Sequence, residues 1–133
     1  MNAADSNVLV YACDRADARR REIALGVLEH IAEVLIWQVA CEFIAAARKL
    51  TVQGFTASLA WSYLDDLLKM TPIVLPTRAV LETARRMHVE QQWAFWDAMI
   101  VSACLEAGVT RLDSEDLPGR APPSGLEIVN PFA

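Results

Sequence analysis

At 133 residues, with 54% hydrophobic and 22% charged, the chain has the length of one domain and a globular composition, which excludes a disordered or low-complexity polypeptide. Its formal net charge of −5 excludes a nucleic-acid binder that works by phosphate neutralisation alone, although it is equally compatible with no nucleic-acid role. If the chain does meet a polyanion, positive charge must come from elsewhere, and a divalent cation is the simplest source.

The first expected element is a very short strand at 2–5, built from poor strand formers, Ala3 and Ala4. A short helix at 6–12 follows, capped by the Asp-Ser-Asn segment. A helix at 18–30 carries Ile23, Val27, Leu28 and Ile31 at helical spacing, with arginines outside. The apolar run 34–37 reads as a buried strand, and 38–50 as a helix. Residues 56–70 form an amphipathic helix in which Leu59, Tyr63, Leu64 and Leu67 pack while Ser58 and Asp65 face outward. The Pro-flanked run 72–76 reads as an edge strand, where proline is tolerated. Helices at 77–88, capped by Thr77, and 96–107, ended by Gly108, follow. Strands at 109–112 and 126–129 close the chain. Pro118, Pro122 and Pro123 with Gly119 and Gly125 mark the loop between them. Strands alternating with helices imply one α/β domain over 1–133, with a mostly parallel sheet covered on both faces. Such a sheet opens its cleft at the carboxyl ends of its strands.

Four acids fall near that expected cleft. Asp5 follows the first strand and Asp116 follows the strand at 109–112. Glu42 lies on one helix face with Gln38, and Asp97 opens a helix right after Trp93, Phe95 and Trp96. All four are expected at or near helix starts. Singly, each has an ordinary alternative: a helix cap for Asp5 or Asp97, a surface helix residue for Glu42, a turn residue for Asp116. Together they form a plausible cation site. Clustered carboxylates repel unless a cation is present, and all-oxygen donors suit Mg²⁺ or Mn²⁺. Such an ion activates water beside a phosphate under in-line attack.

These residues resemble the motifs of PIN domains. Asp5-Ser6-Asn7-Val8-Leu9 is similar to the opening motif, Gln38-Val-Ala-Cys-Glu42-Phe43 to the second, and Trp96-Asp97-Ala98-Met99 to the third. Leu112-Asp-Ser-Glu-Asp116-Leu117 and Gly125-Leu-Glu-Ile-Val-Asn-Pro131-Phe132 resemble the fourth motif and closing strand. The likeness spans nearly the whole chain and is strongest to VapC-type toxins. It implies a three-layer, Rossmann-like PIN fold and a Mg²⁺- or Mn²⁺-dependent ribonuclease, the toxin of a toxin–antitoxin pair. It further implies Asp5, Glu42, Asp97 and Asp116 as catalytic acids, with Asp5, Asp97 and Asp116 on the metal. Ser6, Asn7 and Ser114 support them. RNA substrate, an antitoxin partner, a homodimer and a cytoplasmic setting complete the expectation. The pattern departs from the family at the small Asn2-Ala3-Ala4 strand and at Asp113, a fifth acid that competes with Asp116.

Cys13, Cys41 and Cys104 are odd in number, without a CxxC pair, so neither a disulfide framework nor a cysteine zinc site is indicated. Each reads as a small, reduced core residue. The N-terminus carries no signal-peptide pattern and no apolar run reaches membrane-spanning length. The run Arg19-Arg20-Arg21 reads as an RNA or partner contact or as a solvated helix face; Arg85 and Arg86 read the same way. His30 and His88 have no partner at ligand spacing. Trp93, Phe95 and Trp96 are expected in the core beside Asp97, with base stacking the lesser reading, and residues 61–68 offer a dimer face. Competing enzyme classes fit less well. An aspartyl-phosphate hydrolase of haloacid-dehalogenase type needs an acid where Asn7 stands. A receiver domain needs a late lysine, and the chain has only Lys49 and Lys69. A PIN-like fold that only binds or regulates is the non-enzymatic alternative.

Overall fold

The computed structural model describes residues 1–117 and 121–133; the expected turn at Pro118 and Gly119 lies outside them. Five short strands alternate with six helices: β1 (Asn2–Ala4), α1 (Ser6–Cys13), α2 (Ala18–His30), β2 (Leu35–Ile36), α3 (Trp37–Ala46), a 3₁₀ segment (Ala47–Gln53), α4 (Ala57–Met70), β3 (Ile73–Val74), α5 (Arg78–Gln91), α6 (Phe95–Ala107), β4 (Arg111–Asp113) and β5 (Glu127–Val129).

All strand pairs are parallel. β1, β4 and β5 form one ladder, with Asn2 opposite Arg111 and Arg111 opposite Glu127. β2 and β3 form a second, with Leu35 opposite Ile73. A single parallel bridge, Ala3 to Val34, joins the two, giving the order β3-β2-β1-β4-β5. The fold is therefore the Rossmann-like α/β architecture expected, with helices packed as α1 on α2 and α3, and α5 on α6. β1 forms from residues that rarely make strands. Ala3 and Ala4 are fully enclosed, so burial between helices outweighs their low propensity.

Side-chain caps start four helices: Asp5 Oδ1 accepts from Ser6 N at 2.7 Å, Asp17 Oδ1 from Arg20 N at 3.1 Å, Thr56 Oγ1 from Leu59 N at 3.3 Å, and Thr77 Oγ1 from Val80 N at 3.3 Å. Gly108 ends α6 at φ 76°, the left-handed conformation in which glycine carries no Cβ penalty. The core runs through Val8, Leu9, Ile36, Val39, Phe43, Val101, Cys104 and Leu112, all essentially inaccessible.

Several boundaries differ from expectation. The helix predicted at 38–50 begins one residue earlier and tightens into 3₁₀ geometry from Ala47, while the helix predicted to stop at 88 continues to Gln91. Leu59, expected to pack, is half exposed, because it sits in the first turn of α4 where no neighbouring element covers it. Cys41 is exposed rather than a core residue, since α3 turns it toward an open groove; Cys104 is buried and Cys13 half-buried.

Phe43 anchors α3 directly beside Glu42. Phe43→Ala is expected to destabilise the fold by about 3–5 kcal/mol, read as a lowered urea midpoint at unchanged m-value.

Candidate active site

Because every strand runs the same way, the segments leaving β1, β2 and β4 emerge at one edge of the sheet. Asp5 leaves β1 and is the N-cap of α1. Its Oδ1 accepts from Ser6 N–H at 2.7 Å and its Oδ2 from the Ser114 hydroxyl at 2.8 Å. It is only 8% exposed. The cap expected at Asp5 is real, and the same carboxylate also faces the cleft.

Ser114 connects the two halves of this edge. Fully buried, its hydroxyl donates to Asp5 and accepts from Asp116 N–H at 3.2 Å, Leu117 N–H at 3.3 Å and Asn7 Nδ2 at 3.3 Å. Asn7 also donates to Asp116 Oδ2 at 3.2 Å and accepts from Glu115 N–H at 3.3 Å. The carboxylates of Asp5 and Asp116 are thus referenced to each other through one hydroxyl and one amide. Asp116 itself is exposed, in a bend after β4. No helix begins there among the described residues, contrary to the expected placement of all four acids at helix starts. Ser6 contributes its backbone N–H.

Glu42 lies mid-helix on α3, not at its start, and accepts from Gln38 Nε2 at 3.4 Å; the same nitrogen donates to Trp96 O at 3.0 Å. Gln38 thereby ties α3 to the opening turn of α6, where Asp97 sits. The N-cap of α6 is Ala94, so Asp97 is not a cap, and its carboxylate is exposed.

Electrostatics brings the four acids together. Burial pushes the Asp5 carboxyl above its ordinary 3.8, opposed by the Ser114 and Ser6 bonds and reinforced by repulsion from Asp116 and Asp97. Burial likewise raises Glu42 above 4.5, reinforced by Asp5 and Asp97 and opposed by Gln38. Asp113 stands apart. It is 0% exposed, and its carboxylate takes two bonds from Arg111, at 2.8 and 3.2 Å. A paired strand residue pointing back at Arg111 is engaged away from Asn7 and Ser114.

The basic run is also committed to structure. Arg20 holds Glu115 at 2.9 Å and Asp17 at 3.2 Å and lies over the Tyr11 ring, while Arg19 donates to Phe132 O at 2.9 Å. Tyr11 donates to Glu115 at 2.6 Å, which pushes its phenol up to about 12. Sequence reasoning missed this Tyr11–Glu115–Arg20 clamp on the loop carrying Asp116. Its partners lie about a hundred residues apart, and spacing gives no signal at that range. Trp93 is buried as expected, but Phe95 and Trp96 are exposed. They occupy the first two positions of α6, beyond the packed layer. His88 Nδ1–H donates to Trp93 O at 2.7 Å, and His30 lies exposed beside Glu29.

Among the described residues, no three His, Cys, Asp or Glu side chains converge closely enough to ligate one ion. The donor set nevertheless suits a hard divalent cation: oxygen ligands only, mutually repelling, with two carboxyls raised by that repulsion and by burial.

A parallel α/β sheet with carboxylates at its carboxyl edge is compatible with a nuclease-type hydrolase. A protein-family model described as the PIN domain matches residues 3–117, and the chain belongs to the PIN-domain family, whose nucleases generally use divalent metals. Comparison with curated proteins finds no match. No helix among the described residues is long and apolar enough to cross a membrane.

Two outcomes follow. Arg111→Ala leaves the Asp113 charge buried without its partner and is expected to cost about 3–5 kcal/mol in chemical denaturation. Asp5 and Glu42 hold protons more tightly folded than unfolded, so the metal-free protein loses stability as pH rises from their ordinary values through the raised ones. Glu42→Gln keeps an oxygen to accept from Gln38 and removes a repelling charge; metal-free at pH 7 it is expected to melt above the unsubstituted chain.

Proposed function

We propose that this chain is a divalent-metal-dependent endoribonuclease, the toxin of a toxin–antitoxin pair. The observation that carries the reading is the Asp5 carboxylate at the carboxyl edge of a PIN fold, tied through Ser114 and Asn7 to Asp116 and near enough to Asp97 and Glu42 to feel or exert repulsion. A bound Mg²⁺ or Mn²⁺ supplies activation of water and charge neutralisation at the phosphate.

The chain's own residues do the rest. Asp5, fixed by Ser6 N–H and Ser114, presents a carboxylate that cannot rotate without losing two bonds. Asn7 orients Asp116 toward the same space. Glu42, whose proton affinity burial raises, would serve as proton acceptor for an attacking water. Gln38 holds Glu42 in register with the α6 turn bearing Asp97.

RNA as substrate, an antitoxin that restrains the enzyme and a cytoplasmic setting belong to this reading through the family resemblance. Exposed Trp61 and Leu68 on α4 are consistent with a homodimer face. A second reading, a catalytically silent PIN-like module, draws on the absence of any three ligand side chains converging among the described residues.

Purified protein with Mn²⁺ is expected to cleave single-stranded RNA. Asp5→Asn is expected to lower the rate at least about 100-fold at unchanged circular dichroism, as for loss of a group acting directly in catalysis. Cleavage that persists in EDTA overturns the metal mechanism. A calorimetric titration without Mn²⁺ binding near neutral pH favours the silent module.

A further inference from the structure

Beside the acidic cleft lies an open groove of about 440 Å³, bounded by α3, α6 and the segment from β3 to α5. Its lining is apolar: Trp37, Cys41, Val74, Pro76, Trp96 and Met99 contribute most of it. Two polar residues enter it, Gln38 and Glu42, and these also belong to the acidic site. The groove and the carboxylates are therefore one continuous surface. Trp37 is 45% exposed and Trp96 63% exposed, a large solvent cost for two indoles that have room to pack. Trp96 is held edge-on to Phe95, with centroids 4.9 Å apart, and its carbonyl is fixed by Gln38. Both indoles are thus mounted on the ordered first turns of helices rather than on loops.

Charge identifies the occupant. A protein of net charge −5 gains little affinity for a phosphate chain by counterion release. Three cations of the fold are engaged by the protein itself, Arg20 by Glu115 and Asp17, Arg111 by Asp113, and Arg19 by a carbonyl. Stacking of bases on aromatic side chains is a source of single-strand affinity that adds to a metal's hold on the phosphate and does not depend on the net charge of the protein. A pocket of this size accommodates a purine with space for its sugar.

We propose that this groove is a base-stacking subsite, in which Trp37 and Trp96 take an unstacked nucleobase of single-stranded RNA adjoining the scissile phosphate. The inference rests on the ribonuclease reading and adds to it the source of substrate affinity. Few polar groups line the groove, so bases are ranked by stacking strength, purine above pyrimidine, rather than by hydrogen-bond readout.

The test is Mn²⁺-dependent cleavage of a single-stranded RNA 12-mer by the full chain, with Trp37→Ala, Trp96→Ala and Trp96→Phe variants. Each alanine variant is expected to lower kcat/KM by about tenfold or more, mainly through KM, with the chain still folded by circular dichroism at the assay temperature. Trp96→Phe restores most of the loss. The dependence of kcat/KM on salt is expected to be shallow and to stay the same in the alanine variants, because stacking releases no counterions. An oligonucleotide made abasic beside its cleavage site should lose a similar factor with the unsubstituted chain and lose nothing more with the alanine variants. Alanine variants that cleave like the unsubstituted chain overturn the subsite while leaving the ribonuclease reading intact. If those same variants instead change the oligomeric state on size-exclusion chromatography, the groove is a protein interface and the subsite is again overturned. Absence of any RNA cleavage by the unsubstituted chain overturns both readings.

Discussion

A carboxylate enclosed as deeply as Asp5 stays ionised only where hydrogen bonds replace the water it has lost. Two do so: the first amide of α1 and the hydroxyl of Ser114. The first makes the acid a helix cap, and the second joins the end of β1 to the loop after β4. The same hydroxyl collects the amides of Asp116 and Leu117, so the loop takes its shape from the residue that steadies Asp5. Strand pairing sets this up. The Asp5 amide donates to Asp113 O and the Ser114 amide to Val129 O, both at 2.8 Å, which continues the ladder one residue past each strand and brings the two loops level.

Around that contact the charges divide into two groups. Acids in the cleft repel one another, while most acids near its rim are matched. Glu115 is held by Tyr11 and Arg20, which keeps its carboxyl below its ordinary range, the Tyr11 bond contributing most. Asp113 is matched by Arg111. The unmatched acids are therefore those of the cleft, while Glu115 and Asp113 are neutralised by neighbours.

Much of this organisation was legible in the sequence, for physical reasons. Helix periodicity and capping are local, so α2 appeared with its observed limits and Thr56 and Thr77 marked their helices. Parallel topology followed from the alternation of elements, and the family from four short motifs in order. What escaped was non-local or depended on exposure. Whether Asp113 or Asp116 turns toward Asn7 is decided by the strand register that gives Asp113 to Arg111, and no spacing rule conveys it. Periodicity placed Leu59 and Cys41 inside, but neither has a neighbouring element to cover it. Trp96, expected in the core, lies outside because α6 starts one residue before it, and the first turn of a helix packs against less than its middle.

The bridge from Ala3 to Val34 has a consequence for how the cleft is assembled. The two ladders share no longer run of pairing than this, supplemented by the Asn2 carbonyl, which accepts from Glu33 and Val34. Asp5 and Asp116 ride on the β1–β4 side, whereas Glu42 and Asp97 ride on helices packed against β2. The spacing between the two pairs is thus set by side-chain packing about a pivot near Asn2, not by a continuous hydrogen-bonded lattice. Packing of α1 on α3 joins the two sides, so a substitution in that packing reaches the spacing of the acids while both ladders keep every rung.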